Sequence, residues 1–388
     1  MNKALADLIK ISNITGKDST LVQGGGGNTS VKTEDGEYMY IKASGTALKD
    51  MNSKKGWRRL RLAPVLSIIE DKSLAKLGAD KREPEVVDRL LFACDDNIKD
   101  GARPSVESHL HAFLDRSVIH LHPLVVGAFV NAKNGKAEIQ KLFKAEKFPP
   151  LWVPYADPGF MLAKKIAGLV NSYQKQYGKK PVIMILEKHG IFTTAATAET
   201  SLRLVRKVIR MCKSKLKEPK PRKSKPPNKQ DVADAKAAIR YAILEVTNEV
   251  LPVSFIPTNN IIAAFMQRKD AKKLLATPAL NPDELVYANG SAMWLDKCDA
   301  KAITRRLRSK IDKAEKPSAA FLIKGLGLFV AADEKMIPVI TEITIGSLYV
   351  RMQATKFGGI LTLTKRQQDF INNWEAETFR KQLVSKTK

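Results

Sequence analysis

In the first fifteen residues, apolar side chains recur every three or four positions (Leu5, Leu8, Ile9, Ile11). That is the spacing of one helix face, and Gly16 marks its stop. A short apolar stretch, Leu21-Val22, gives way to Gly24–Gly27 and then to Asn28-Thr29-Ser30-Val31-Lys32. Asp35-Gly36 is a hairpin-turn dipeptide, and Tyr38-Met39-Tyr40-Ile41 after it reads as a strand. Val86, Val87, Leu90 and Leu91 share one face of a helix predicted over 84–94, with Pro84 in its first turn. A second helix is predicted over 104–114, opened by Pro104-Ser105. β-rich runs follow at Val118–His122 and Pro181–Leu186, with helical patterns at about 157–175 and 197–212. Strands interleaved with helices predict an α/β layer structure.

The periodicity stops at Lys213–Lys229, which holds eight Lys/Arg and four prolines and has almost nothing to bury. It reads as a solvated linker between a domain at 1–212 and a second, smaller α/β domain at 230–388. A partial echo crosses that linker. Pro181–Phe192 places an apolar run before a Lys-His-Gly turn and a Phe, and Ser318–Phe329 places one before Gly325-Leu326-Gly327 and a Phe. The second domain therefore reads as a possible degenerate repeat, with Leu326 where the first copy has His189.

The length of 388 residues suits two domains, and 44% apolar residues suffice for real cores. With no run of about 18 uncharged apolar residues, no membrane span is expected. Asp7 falls where a signal peptide needs its apolar centre, so the expected address is the cytoplasm. Cys94, Cys212 and Cys298 are far apart and form no Cys-x-x-Cys pair, which argues against a disulfide framework or a cysteine zinc site. The net charge of +26 favours anions. Outside the linker the basic residues are dispersed, and no nucleic-acid-binding signature accompanies them, so a specific nucleic-acid partner is not expected.

Candidate chemistry rests on the five histidines. His120 and His122, two apart on a strand, present their imidazoles to one side. His189 ends another predicted strand against Gly190. Three neutral imidazoles with an open position make a catalytic site for Zn2+ or another divalent metal, with Glu107 as a nearby carboxylate. His109 and His111 project from different faces of the predicted helix and are assigned to the core or to supporting roles. The glycine loop lacks both the Walker and the dinucleotide spacing. Its backbone N–H groups, with Asn28, Ser44-Gly45-Thr46 and Ser105 at a helix start, nevertheless form a candidate phosphate cradle.

Four stretches carry a family resemblance: Gly25–Lys32, Pro104-Ser105-Val106-Glu107, His120-Leu121-His122-Pro123 and Lys188-His189-Gly190. In this order they resemble the class II aldolase/adducin family, most of all the aldolase portion of bifunctional rhamnulose-1-phosphate aldolase/alcohol dehydrogenase proteins. Beyond residue 210 the likeness thins to Asn281–Leu285 and Gly325–Phe329. The dehydrogenase half is expected to be absent from these 388 residues.

The resemblance implies an α/β/α sandwich around a mainly antiparallel sheet, often in a homo-oligomer. It implies zinc on His120, His122 and His189, Glu107 as catalytic acid/base, and phosphate at Asn28, Ser44, Gly45 and Ser105. Val106 departs from a Pro-Ser-Ser-Glu pattern. The expected activity is cleavage of a ketose 1-phosphate to dihydroxyacetone phosphate and a short aldehyde. The alternatives are 4-epimerisation or dehydration at the same site, or a non-catalytic adducin-like interaction protein.

Overall fold

A computed structural model describes residues 2–96, 102–223 and 225–374. The end of the expected second domain, 375–388, lies outside the described residues, as does Ser224 of the basic segment.

Eleven strands form two sheets among the described residues. The first sheet holds β1 (Asn28–Lys32), β2 (Tyr38–Lys42), β3 (Trp57–Arg61), β4 (Ser117–Leu121), β5 (Leu151–Val153), β6 (Ile183–Leu186) and β7 (Ile191–Ala195), in the order β3-β2-β1-β4-β7-β6-β5. Every neighbouring pair is antiparallel except β5–β6. The second sheet holds β8 (Val253–Ile256), β9 (Met293–Leu295), β10 (Ala320–Ile323) and β11 (Gly327–Ala331), in the order β8-β11-β10-β9.

The helices of the first unit are α1 (Lys3–Gly16), α2 (Leu62–Glu70), α3 (Ala79–Ala93), α4 (Ser108–Ala112), α5 (Leu124–Val130), α6 (Gly135–Leu142), α7 (Phe160–Tyr177) and α8 (Ala198–Lys213). The second unit has α9 (Lys229–Thr247), α10 (Asn260–Met266), α11 (Ala271–Leu275), α12 (Pro282–Ala288), α13 (Ala300–Ile311), α14 (Met336–Ala354) and α15 (Lys365–Asn372). None of the described helices is long and apolar enough to cross a membrane.

The period-2 alternation of the strands builds three layers. Ile119, Leu121, Ile183 and Ile185 point to one face, where they meet Leu8 and Ile11 of α1, Phe129 of α5 and Val205 of α8. Val118, Met184, Leu186 and Phe192 point to the other, against Leu110 of α4 and Ile166 of α7. On that same side α2 and α3 cover Met39 and Ile41. The expected α/β/α sandwich around a mainly antiparallel sheet is what these residues form. The second sheet is layered in the same way: Leu322 and Leu328 face α12 and α14, and Phe321 and Phe329 face α9 and α13.

The second sheet also repeats part of the first. Order β8-β11-β10-β9 carries the directions of β4-β7-β6-β5: antiparallel, antiparallel, parallel. Each parallel pair is joined through one long helix, α7 or α13, and the last strand of each leads into another, α8 or α14. The β6–β7 turn has Lys188 at φ 57 and the β10–β11 turn has Gly325 at φ 80, each followed by an N–H bonded back to the strand end.

Two helix predictions need correction. The helix expected over 84–94 begins at Ala79, ahead of Pro84. The helix expected over 104–114 shrinks to Ser108–Ala112. Its opening residues are taken by strand-like pairing instead: Pro104 bridges Ala43, and the Ser105 N–H donates to the Lys42 carbonyl. A backbone committed to a sheet edge cannot also start a helix. Ser105 therefore sits in a turn ahead of the helix.

The basic segment after α8 is largely exposed but tied down at two points. Gln353 Nε2 donates to the Lys217 carbonyl at 2.7 Å, and Gln267 exchanges hydrogen bonds with the backbone of Arg222.

Candidate metal centre

His120 is the penultimate residue of β4, pinned between β1 and β7, and His122 lies just past the strand's end, before Pro123. His189 lies in the β6–β7 turn, which the left-handed Lys188 and the close-packed Gly190 bring against β4. A Cβ on Gly190 would stand 2.2 Å from the Leu121 carbonyl oxygen and 2.8 Å from His122 Cδ2, so only glycine lets the turn approach. His120 Nε2 lies 3.1 Å from His122 Nε2 and 3.2 Å from His189 Nε2. Nitrogens about 2.0–2.1 Å from a tetrahedral zinc stand about 3.3 Å apart.

The outer nitrogens fix the inner ones. His120 Nδ1 is 2.9 Å from the Ile191 carbonyl and donates to it, which leaves the Nε2 lone pair facing the cluster. His122 Nδ1 is bonded by Asp283 Oδ2. Burial, followed by the field of the neighbouring imidazoles, holds His120 and His189 well below the ordinary histidine pKa. Neutral imidazoles with directed lone pairs are the state a divalent metal requires. The donor set fits such an ion.

Glu107 stands at the entrance to α4, with Oε2 3.6 Å from His120 Nε2. Asn28 Nδ2 donates to that same oxygen at 2.5 Å. Asn28 lines the same cavity as Glu107, this bond engages one of the two hydrogens of its amide, and Asn28 Oδ1 has no partner among the described residues.

Asn28, Ser44, Ser105, Glu107 and the three histidines line one cavity. Gly45 is not among its lining residues and instead makes the turn after Ser44 at φ 79. Ser44 Oγ donates to the Pro104 carbonyl, and Ser105 Oγ accepts from the Glu107 N–H.

Two charged residues of this cavity were given no role in the sequence reading. Lys42, at the end of β2, is 4% exposed and donates to the Gly25 carbonyl at 3.0 Å. The available signal was its place two residues before Ser44, on the same side of an extended chain. Asp283 comes from the second unit and lies in the stretch Asn281–Leu285 that the family resemblance had already marked, which is also a helix start.

His109 and His111 are fully buried on α4, away from the cluster. His111 Nδ1 is 2.8 Å from Ser30 Oγ, whereas neither ring nitrogen of His109 has a partner among the described residues. Burial pushes His109 down to about 4. The unfolded chain takes up that proton near pH 6.5 and the folded chain only near pH 4. Stability tied to His109 is thus complete above pH 6.5 and is lost as pH falls toward 4. Urea titrations across this window should show a shallower pH slope for His109→Leu than for wild type, by up to about 1.4 kcal/mol per pH unit for one proton. Equal slopes would contradict this assignment.

Comparison with known proteins follows the same residues. The family model described as Class II Aldolase and Adducin N-terminal domain matches residues 6–216. Over 97% of its length the chain is 25% identical to an uncharacterized oxidoreductase, YuxG, of Bacillus subtilis (strain 168), and it spans 58% of that relative. Among solved structures, the N-terminal class II aldolase domain of a conserved protein from Thermoplasma acidophilum is 26% identical, with 55% of this chain and 94% of that one covered and a TM-score of 0.45. An L-fuculose-1-phosphate aldolase from Thermus thermophilus is 15% identical, with 54% and 92% covered and a TM-score of 0.33. By the family match across more than half its length, the chain belongs to the class II aldolase and adducin family.

Proposed function

We propose that the protein is a zinc-dependent lyase that cleaves a ketose 1-phosphate of the rhamnulose-1-phosphate type into dihydroxyacetone phosphate and a short aldehyde. The observation that carries this reading is the convergence of three imidazole Nε2 atoms beside the Glu107 carboxylate in one cavity. A divalent ion held by His120, His122 and His189 supplies Lewis-acid stabilisation of the negative charge that develops next to a carbonyl when a carbon–carbon bond breaks.

The remaining work falls to the chain itself. Glu107 accepts the proton of the substrate hydroxyl at Oε2 and returns it to carbon, and Asn28 fixes that oxygen in place. Lys42, Ser44 and Ser105 supply the cation and hydroxyl groups that recognise the phosphate, a remote anchor whose binding energy orients the reacting carbons. Burial of Glu107 and His120 keeps bulk water from the developing charge.

The test is product analysis on a panel of ketose 1-phosphates and pentulose phosphates. Release of dihydroxyacetone phosphate, lost on chelation and regained with zinc, is the expected outcome. Epimerised or dehydrated products without cleavage would replace the lyase assignment. No metal-dependent turnover of any of them would end it.

A further inference from the structure

All three imidazoles belong to the first unit, yet the group bonded to the outer nitrogen of His122 does not. Asp283 is 4% exposed and sits in the first turn of α12. That turn is set locally: the Asn281 side chain accepts the Glu284 N–H, and Pro282 occupies the first helical position. It is also anchored from behind. Glu284 pairs at 3.0 Å with Arg351 of α14, at side-chain exposures of 2% and 0%, and accepts a hydrogen bond from Ser347. Asp283 is therefore delivered to His122 by a braced element.

The same face of the second unit supports the glycine loop. The Gly24 N–H donates to Glu342 Oε2 of α14 at 3.1 Å, and Val339 packs where a Gly24 side chain would go. A Cβ on Gly26 would stand 3.0 Å from Asp283 Oδ2. Helices α5 and α14 touch through two glycines, Gly127 against Val350 and Gly346 against Leu124, which permits this close docking.

Together with the repeated strand order, these contacts give the second unit a role. We infer that it is a degenerate copy of the β4–β7 half of the first, without its own histidine (Leu326 stands at the turn position of His189), which completes the first unit's site, and that its Asp283 is a positioning residue for His122. By accepting the Nδ1 proton, Asp283 holds the tautomer and ring orientation that leave the His122 Nε2 lone pair aimed at the other two imidazoles. The inference rests on the proposed metal reading.

The experiment uses the full chain and zinc or cobalt alone, titrated against a chromophoric chelator. Asp283→Asn should weaken metal binding about 10–100-fold and alter the visible spectrum of the cobalt form, with the thermal midpoint of the metal-free protein unchanged. Affinity equal to wild type, or an affinity loss matched by an equal loss of metal-free stability, would overturn the inference. Should Asp283→Asn not fold, long-range proton–nitrogen NMR of the zinc-loaded wild type decides it: an Nδ1-protonated His122 supports the assignment and an Nε2-protonated one overturns it. A wild type that takes up no stoichiometric metal would sink the metal reading itself. Tight metal in wild type with no response to Asp283→Asn would sink only this inference.

Discussion

Glu107→Gln should retain a full complement of metal and lose about a hundred- to ten-thousand-fold in kcat, the usual worth of a positioned acid/base. The substitution keeps an oxygen for the Asn28 amide, which bonds Glu107 Oε2 at 2.5 Å, so the local packing should survive. What it removes is the ability to accept and return a proton 3.6 Å from His120 Nε2. KM should change little, because the groups assigned to phosphate, Lys42, Ser44 and Ser105, are untouched. Metal analysis and steady-state kinetics on the same preparation check both halves. Unimpaired turnover would remove Glu107 from its role, and lost metal would make it a ligand.

The second large effect is expected at His189. Replacing it with Ala removes one of three nitrogens and should weaken metal binding by more than the ~10–100-fold expected for loss of an outer partner. Activity at stoichiometric metal should vanish with it. The metal-free proteins should unfold alike, because the ring contacts of His189 are with the other two imidazoles, its Nε2 facing His120 Nε2 at 3.2 Å. Equilibrium dialysis with zinc, paired with thermal unfolding in chelator, reads both. A variant that still binds one zinc per chain as tightly as wild type would show that His189 is not a ligand.

The readable parts of this molecule were those fixed by local pattern. The β-rich runs Pro181–Leu186 and Val118–His122 placed β6 and β4 within a residue or two, and that placement carried the histidines with it. The echo between the two units was readable as a pattern, because Gly327 precedes Phe329 as Gly190 precedes Phe192, and the two sheets share a strand layout.

What was not readable depends on docking. Asp283 lies 161 residues from His122, and neither the helix start nor the family likeness of Asn281–Leu285 says which surface that helix will face. The Ser105 error has the same origin. Pro104-Ser105 looks like a helix start until Ala43 and Lys42 claim its backbone for the sheet edge. Asn28 has a further use that local pattern does not show, since its amide also holds Glu107, 79 residues away.

The most direct measurement is anomalous diffraction at the zinc absorption edge from crystals grown with the metal. A single peak about 2.0–2.1 Å from Nε2 of His120, His122 and His189, with Glu107 beside it, is the predicted result. A crystal without zinc at that point, its three ring nitrogens turned apart or bonded to other protein groups, would contradict it.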